Sequence, residues 1–260
     1  MNKPVMQSMA CFLVLLALVG CASAPPTEQL ADSAWALQSS GQGEIRTDDD
    51  VAAAATVWQH YLLPGKASSR FHATRKDGRD AMAVTASSSA SMLRHQIRIE
   101  PAQLSQVRFS WKVPELMLQA DMALRDTDDS PVRIVLTFEG DRQKFSSKNA
   151  MLSELARALT GEELPYATLM YVWCNTRAPG AVIVNPRTDR IRKLVVESGA
   201  ARLKQWIDYE RDIRADYEKA FGEAPGALIG IGIMTDSDNT RSSTQAWYGP
   251  VRLGRPAILK

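Results

Sequence analysis

Leu228-Ile229-Gly230-Ile231-Gly232-Ile233-Met234 runs straight into Thr235-Asp236-Ser237-Asp238-Asn239-Thr240, and the chain re-emerges as Gln245-Ala246-Trp247-Tyr248-Gly249-Pro250-Val251-Arg252-Leu253. Successive side chains of a strand point to opposite faces. Ile229, Ile231 and Ile233 therefore make one face of the first segment, and Leu228, Gly230, Gly232 and Met234 the other. Neither face is polar, which places this strand centrally in a sheet. Its bare glycines call for a cover, either a helix or a large aromatic such as Trp206. The acidic stretch reads as the tip of a hairpin that returns through Trp247 and Tyr248.

The same alternation recurs upstream. Val107, Phe109, Trp111 and Val113 alternate with Arg108, Ser110 and Lys112; Val132, Ile134, Leu136 and Phe138 alternate with Arg133 and Thr137; Leu93, His95, Ile97 and Ile99 alternate with Arg94, Gln96 and Arg98. Further strands are expected at 70–75, 80–86, 169–173, 181–184 and 190–196. Trp111, Trp173 and His95 follow the apolar phase and are expected in the core, His95 with its hydrogen bonds satisfied. Two helices interrupt the strands. Residues 149–159 carry Leu152, Leu155, Ala156 and Leu159 on one face, and 203–221 carry Trp206, Ile213, Tyr217 and Phe221, closed by Gly222 and Pro225. The expected fold is mainly β: an antiparallel, jelly-roll-like β-sandwich with helices at about 149–159 and 203–221.

The chain has 260 residues, with 31 Lys+Arg against 29 Asp+Glu. That balance carries no nucleic-acid signature. Lys3 followed by the apolar run Met9–Val19 matches a secretory signal, too short for a comfortable membrane span. Leu18-Val19-Gly20-Cys21 resembles a bacterial lipobox. The resemblance implies a signal peptide at 1–20, a lipidated Cys21 that anchors the protein in a membrane, and a tether at 21–50 before a single sandwich domain at 51–260. Ala22 after the cysteine implies the periplasmic face of the outer membrane. With Cys11 removed and Cys21 acylated, Cys174 stands alone, so no internal disulfide is expected.

Chemistry concentrates at the acidic stretch. Asp236 and Asp238 lie two apart and face one way in an extended segment. With Asn239, and with Asp128 from the acidic loop Asp126-Thr127-Asp128-Asp129, they offer oxygen ligands to a hard cation such as Ca²⁺. An Asx-rich turn whose oxygens bond local N–H groups already accounts for the same residues. Trp247 and Tyr248 beside them are candidate stacking platforms for a sugar face. The expected ligand site is therefore Asp236, Asp238, Asn239, Trp247 and Tyr248. No catalytic motif is present.

Ser89-Ala90-Ser91, Phe109-Ser110-Trp111-Lys112-Val113, Tyr171-Val172-Trp173, Arg211–Tyr217 with Phe221-Gly222, Met234–Thr240 and Ala246-Trp247-Tyr248-Gly249 together resemble an uncharacterised bacterial family, domain of unknown function 3047. More loosely, the arrangement is similar to galactose-binding-like jelly-roll modules, which implies a carbohydrate ligand and a structural calcium. The expected function is a lipid-anchored cell-envelope protein binding a glycan or envelope component. The alternatives are a polysaccharide hydrolase using Asp236 and Asp238, and a structural or interaction lipoprotein without a small-molecule site.

Overall fold

A computed structural model describes residues 33–39 and 58–254; the expected signal peptide, Cys21 and most of the expected tether lie outside them. Thirteen strands and three helices follow in order: α1 (Ala34–Ser39), β1 (Gln59–Leu62), β2 (Arg70–Lys76), β3 (Arg79–Ser87), β4 (Ala90–Ile99), β5 (Gln106–Lys112), β6 (Ser130–Phe138), α2 (Ser147–Thr160), β7 (Ala167–Cys174), β8 (Val182–Val184), β9 (Ile191–Ser198), β10 (Trp206–Asp212), α3 (Ile213–Phe221), β11 (Leu228–Asp236), β12 (Ser243–Tyr248) and β13 (Arg252–Leu253). One sheet has seven strands in the order β1-β4-β11-β6-β7-β9-β8. The other has six, β10-β5-β12-β3-β2 with β13 on β5. Among these ladders only β7–β9 is parallel; the rest are antiparallel, as the alternating strands predict.

The two sheets face each other across one core. Leu93, Ile134, Leu136, Phe138, Tyr171, Trp173, Ile231 and Ile233 from the larger sheet meet Val84, Phe109, Trp111, Ile207 and Tyr248 from the smaller. Phe109 stacks on Tyr171 at 5.5 Å across the gap. Fully buried side chains of this size contribute roughly 1.5–3 kcal/mol each; Cys174, the cysteine among the described residues, is free and buried. The jelly-roll-like β-sandwich is the architecture the alternation predicts.

Four expectations about individual elements are corrected. First, β11 and β12 do not form a hairpin. β11 is already paired on both edges by β4 and β6, while β12 pairs with β3 and β5, so the Ser237–Ser242 connection crosses from one sheet to the other. Second, 203–221 is not one helix. Trp206–Asp212 is a strand in which Ile207 and Tyr209 face the core with period two, and Asp212 then caps α3 by accepting from Ala215 N–H at 2.9 Å. Third, α2 spans 147–160 with the expected capping serine and glycine, but its buried residues are Asn149 and Ser153, while Leu155 and Leu159 face outward. Fourth, the glycines of β11 are not covered by Trp206, which belongs to the other sheet. A Cβ on Gly230 would come within 2.7 Å of Thr137 Oγ1, and one on Gly232 within 3.0 Å of the Leu93 carbonyl. These glycines let neighbouring strands and side chains close in.

Two smaller departures follow. Part of the expected tether, α1, packs on the domain: Trp35 is buried against Trp58 at 4.9 Å, and Ser39 Oγ accepts from Val251 N–H at 3.1 Å. His95 is a core residue, but its Nε2 has no hydrogen-bond partner.

The registers also sort the connections between the two ends of the sandwich. Ile99, Phe138, Ala167 and Leu228 lie together at one end, and Ala90, Ser130 and Asp236 at the other. Helices α2 and α3, strand β13 and the C-terminal end of α1 fall at the first end. The Asp236–Thr240 stretch falls at the second.

Candidate functional site

At the second end, Asp236 closes β11 and meets the loop that precedes β6. Arg133 projects from β6 on the outer face, in register with Met234. Its guanidinium donates to the Asp128 carbonyl at 2.8 Å and pairs with Asp128 Oδ1 at 3.2 Å and Asp236 Oδ2 at 3.0 Å. Lys193 of β9 grips the same Asp128 through both oxygens, at 2.6 and 2.7 Å, and the Met122 carbonyl at 2.9 Å. Asn185 Nδ2 adds a third polar side chain to Asp128, at 3.1 Å. Next door, Asp129 holds the crossing connection. It accepts from Asn239 N–H at 3.2 Å, Thr240 N–H at 2.7 Å and Thr240 Oγ1 at 2.6 Å. Lys66 pairs with Asp238.

Three cations, Lys66, Arg133 and Lys193, thus sit directly among four carboxyl groups, Asp128, Asp129, Asp236 and Asp238, and with the exposed Arg187 acting on Asp238 only from further off, one negative charge is left over inside the cluster. That charge is costly in a buried place, and a proton removes it. Burial pushes the Asp236 carboxyl well above the usual carboxylate range, more than Arg133 can pull it back. Its Oδ1 has no N–H or O–H donor of another residue beside it, as suits a protonated acid aimed at its neighbour Asp238. Burial alone would raise Asp238 too, but the hydrogen bond from Asp236 and the Lys66 ammonium outweigh it and hold Asp238 low. Burial, together with the Arg133 cation, lowers the Lys193 ammonium to about 8 against the pull of Asp128. Arg133 keeps its proton because Asp236, Asp128 and Asp129 overcome its desolvation.

The structure brings Asp236, Asp238 and Asn239 together with the 126–129 loop, as their composition suggests. It exchanges the two aspartates of that loop. Asp129, Asp236 and Asp238 each offer an oxygen within 4.8 Å of the others, whereas Asp128, the expected cation ligand, is spent on Lys193 and Arg133. Asn239 uses its side-chain amide on the Arg125 carbonyl, at 2.9 Å. Tyr248, expected at a surface platform, is fully buried. Its hydroxyl donates to the Met234 carbonyl at 2.6 Å and lies 3.0 Å from Thr235 Oγ1. It buttresses the site from inside the sandwich.

Trp247 points the opposite way. Trp206 and Trp247 both stand opposite Lys112, so these three share the outer face of the six-stranded sheet. The tight β2–β3 turn, with Asp77 at φ 52° and Gly78 at φ 77°, folds over them. Lys76 Nζ sits 4.5 Å from the Trp247 ring and Arg79 5.4 Å from the Trp206 ring, while Lys112 donates to Asp77 at 2.5 Å. The indole face expected to receive a sugar already carries a cation of the protein.

Beside that turn lies a groove of about 820 Å³ that the sequence did not reveal. β3 runs on past the end of β12, and the gap this leaves toward β5 is floored by Ser110, Gly249 and Pro250. Its walls carry Arg79, Arg108 and Arg252 against Asp80, Asp208 and Glu210. Arg79 pairs with Asp208 at 2.7 Å and Arg108 with Glu210 at 3.1 Å; Gln38 of α1 links Arg252 at 2.6 Å to Asp80 at 2.8 Å. A Cβ on Gly249 would fall 2.1 Å from Ser110 Oγ. The glycine of Trp247-Tyr248-Gly249 is therefore fixed by the serine of Phe109-Ser110-Trp111. A signal for the groove existed in the alternating outward charges of 206–212, which a helical reading concealed.

The model of the family described as "Protein of unknown function (DUF3047)" matches residues 56–252. No curated protein matches the chain in sequence. Among solved structures, endoglucanase 3 of family GH12 from Trichoderma harzianum is 6% identical, with 75% of this chain and 89% of that one covered, at a TM-score of 0.39. The xyloglucanase domain of NopAA, a type three effector from Sinorhizobium fredii solved with cellobiose, is 8% identical over 76% and 98%, at 0.35. The family 11 xylanase from Neocallimastix patriciarum is 8% identical over 77% and 91%, also at 0.35. These overlaps are loose, and the fold assignment stands on the strand pairing itself.

Proposed function

We propose that this chain, which belongs to the DUF3047 family, is a lipid-anchored cell-envelope protein that binds a glycan in the groove of its six-stranded sheet. The observation that carries the reading is the wall of that groove, where three arginines alternate with three carboxylates. A wall balanced in charge does not select a polyanion or an apolar ligand. It offers paired donors and acceptors to a neutral, hydroxyl-rich chain, and the volume lies in the range of small-ligand sites. The anchor is Cys21, and the location that goes with it is the periplasmic face of the outer membrane.

The test is a titration of soluble envelope-polysaccharide fragments against the mature chain and its Arg108→Ala and Glu210→Ala variants. Each loses a charge-assisted hydrogen bond, so affinity falls about tenfold or more. Equal binding by both variants removes the groove from the proposal. For the anchor, Cys21→Ser releases the protein from the membrane fraction; continued sedimentation with membranes contradicts it.

The hydrolase alternative fits less well. Asp236 and Asp238 approach within 4.8 Å and share one proton, with Asp236 buried on Arg133. Glycosidase carboxyl groups stand about 5–9.5 Å apart with sugar between them. A second reading concerns a cation. Asp129, Asp236 and Asp238 are the residues that can hold one, and the undonated Asp236 Oδ1 favours it. It must displace the Asp236 proton and the Lys66 ammonium.

A further inference from the structure

Helix α2 turns much of its apolar surface outward. The residues it buries most deeply, Asn149 and Ser153, are polar and pinned, with Leu152 and Ala156 half-buried beside them. Asn149 Nδ2 donates to Asp189 Oδ1 at 2.6 Å, Asn149 Oδ1 accepts from Thr188 Oγ1 at 2.8 Å, and Ser153 Oγ accepts from Arg142 at 3.0 Å. These bonds fix the rotation of the helix about its axis. The outward face then carries Met151, Leu155 and Leu159, which are 65%, 53% and 64% exposed. Spaced four apart, they form one continuous stripe, and Lys148 continues it toward the helix N-terminus. Three large apolar side chains held outward by a polar anchor are not the scattered exposure ordinary on a protein surface.

Where the stripe sits selects its partner. α2 connects β6 to β7 at the end of the sandwich that also holds β13 and the C-terminal end of α1. α1 reaches that end with Gln38 and Ser39, so the described domain begins, at Ser33, one short helix away from it. Residues 22–32 separate Ser33 from Cys21, a reach of at most about 40 Å. Resting on the lipid anchor proposed above, a bilayer lies within tether length of this end. Lys144 just ahead of the helix and Lys148 in its first turn suit an anionic headgroup layer. A second copy fits less well: three side chains of roughly 100 Å² each fall far short of the ~800 Å² per partner of a stable interface. A tethered surface needs no such area, because the anchor supplies the effective concentration. We propose that the Met151–Leu155–Leu159 stripe of α2 docks on the lipid surface that holds the anchor, so that the domain stands with its Asp236 end away from the membrane.

The test uses the full chain, purified from membranes and reconstituted into phosphatidylethanolamine–phosphatidylglycerol vesicles that carry a doxyl-labelled lipid. A bimane probe is placed at Leu155→Cys and, as control, at Ser243→Cys at the opposite end. The expected result is quenching at 155 several-fold stronger than at 243. Equal quenching of a chain that stays with the vesicles overturns the docking while leaving the anchor intact. If the chain does not stay with vesicles, the anchor reading has failed, and the Cys21→Ser chain is titrated with the same vesicles. Binding that falls about tenfold in Leu155→Glu/Leu159→Glu then sustains the docking, and no binding overturns it. Dimerisation without lipid that the same double variant abolishes overturns it in favour of a second copy.

Discussion

Arg133→Met is the most informative single change at the acidic end. The guanidinium is buried, neutralises Asp128 at 3.2 Å and lies 3.0 Å from the protonated Asp236. Removing one partner of a buried ion pair costs about 3–5 kcal/mol, because the other charge is left uncompensated. Here the loss falls toward the lower figure. Asp128 keeps Lys193 at 2.6 Å, and Asp236 keeps its proton. A loss of about 3 kcal/mol in a domain of this size lowers Tm by roughly 6–12 °C. Urea unfolding followed by tryptophan fluorescence, with thermal melts beside it, measures both. Asp236→Asn is the control. The amide copies a protonated carboxyl, still accepts from Arg133, and changes stability by less than about 1 kcal/mol at neutral pH. The pH dependence follows from the raised Asp236 carboxyl. A group raised in the folded state adds stability below its unfolded value, near 3.8, and loses that stability as pH climbs through the raised value. The wild type therefore loses stability over that window relative to Asp236→Asn. An Arg133→Met loss under about 1 kcal/mol, or parallel pH curves for wild type and Asp236→Asn, refutes the charge accounting.

Two further outcomes follow from the same geometry. Gly249→Ala brings its Cβ to 2.1 Å from Ser110 Oγ and destabilises by about 1–3 kcal/mol; Ser110→Gly in the same chain restores most of it in a double-mutant cycle. If calcium binds at Asp129, Asp236 and Asp238, it raises Tm more at pH 8 than at pH 5, because it competes with the Asp236 proton; a rise that survives Asp236→Ala with Asp238→Ala removes the cation from that cluster.

Much of the sandwich was legible because burial on one side writes itself into a strand with period two, as in Val107–Val113 and Val132–Phe138. What escaped was decided by partners distant in sequence. Whether Ser237–Ser242 closes a hairpin or bridges two sheets depends on β4 and β6 having claimed both edges of β11. The outward apolar face of α2 depends on Asp189 and Thr188, some forty residues away. The 126–129 loop was visible as acid, but which aspartate turns to Lys193 and which to Thr240 is a matter of backbone path. Tyr248 and Trp247 were adjacent in sequence and so taken together; on a strand, adjacency sends them to opposite faces. The groove joins residues from β3, β5, β10 and β13, and no local pattern spans them.

The central claim, that the ligand surface is the groove of the six-stranded sheet, is met most directly by NMR. Isotope-labelled Cys21→Ser chain is titrated with soluble envelope-polysaccharide fragments, and amide shifts are mapped. The account predicts saturable shifts at Arg79, Arg108, Asp208, Glu210 and Gly249, with Asp236–Thr240 undisturbed. Shifts confined to Asp236–Thr240, or none with any fragment, contradict it.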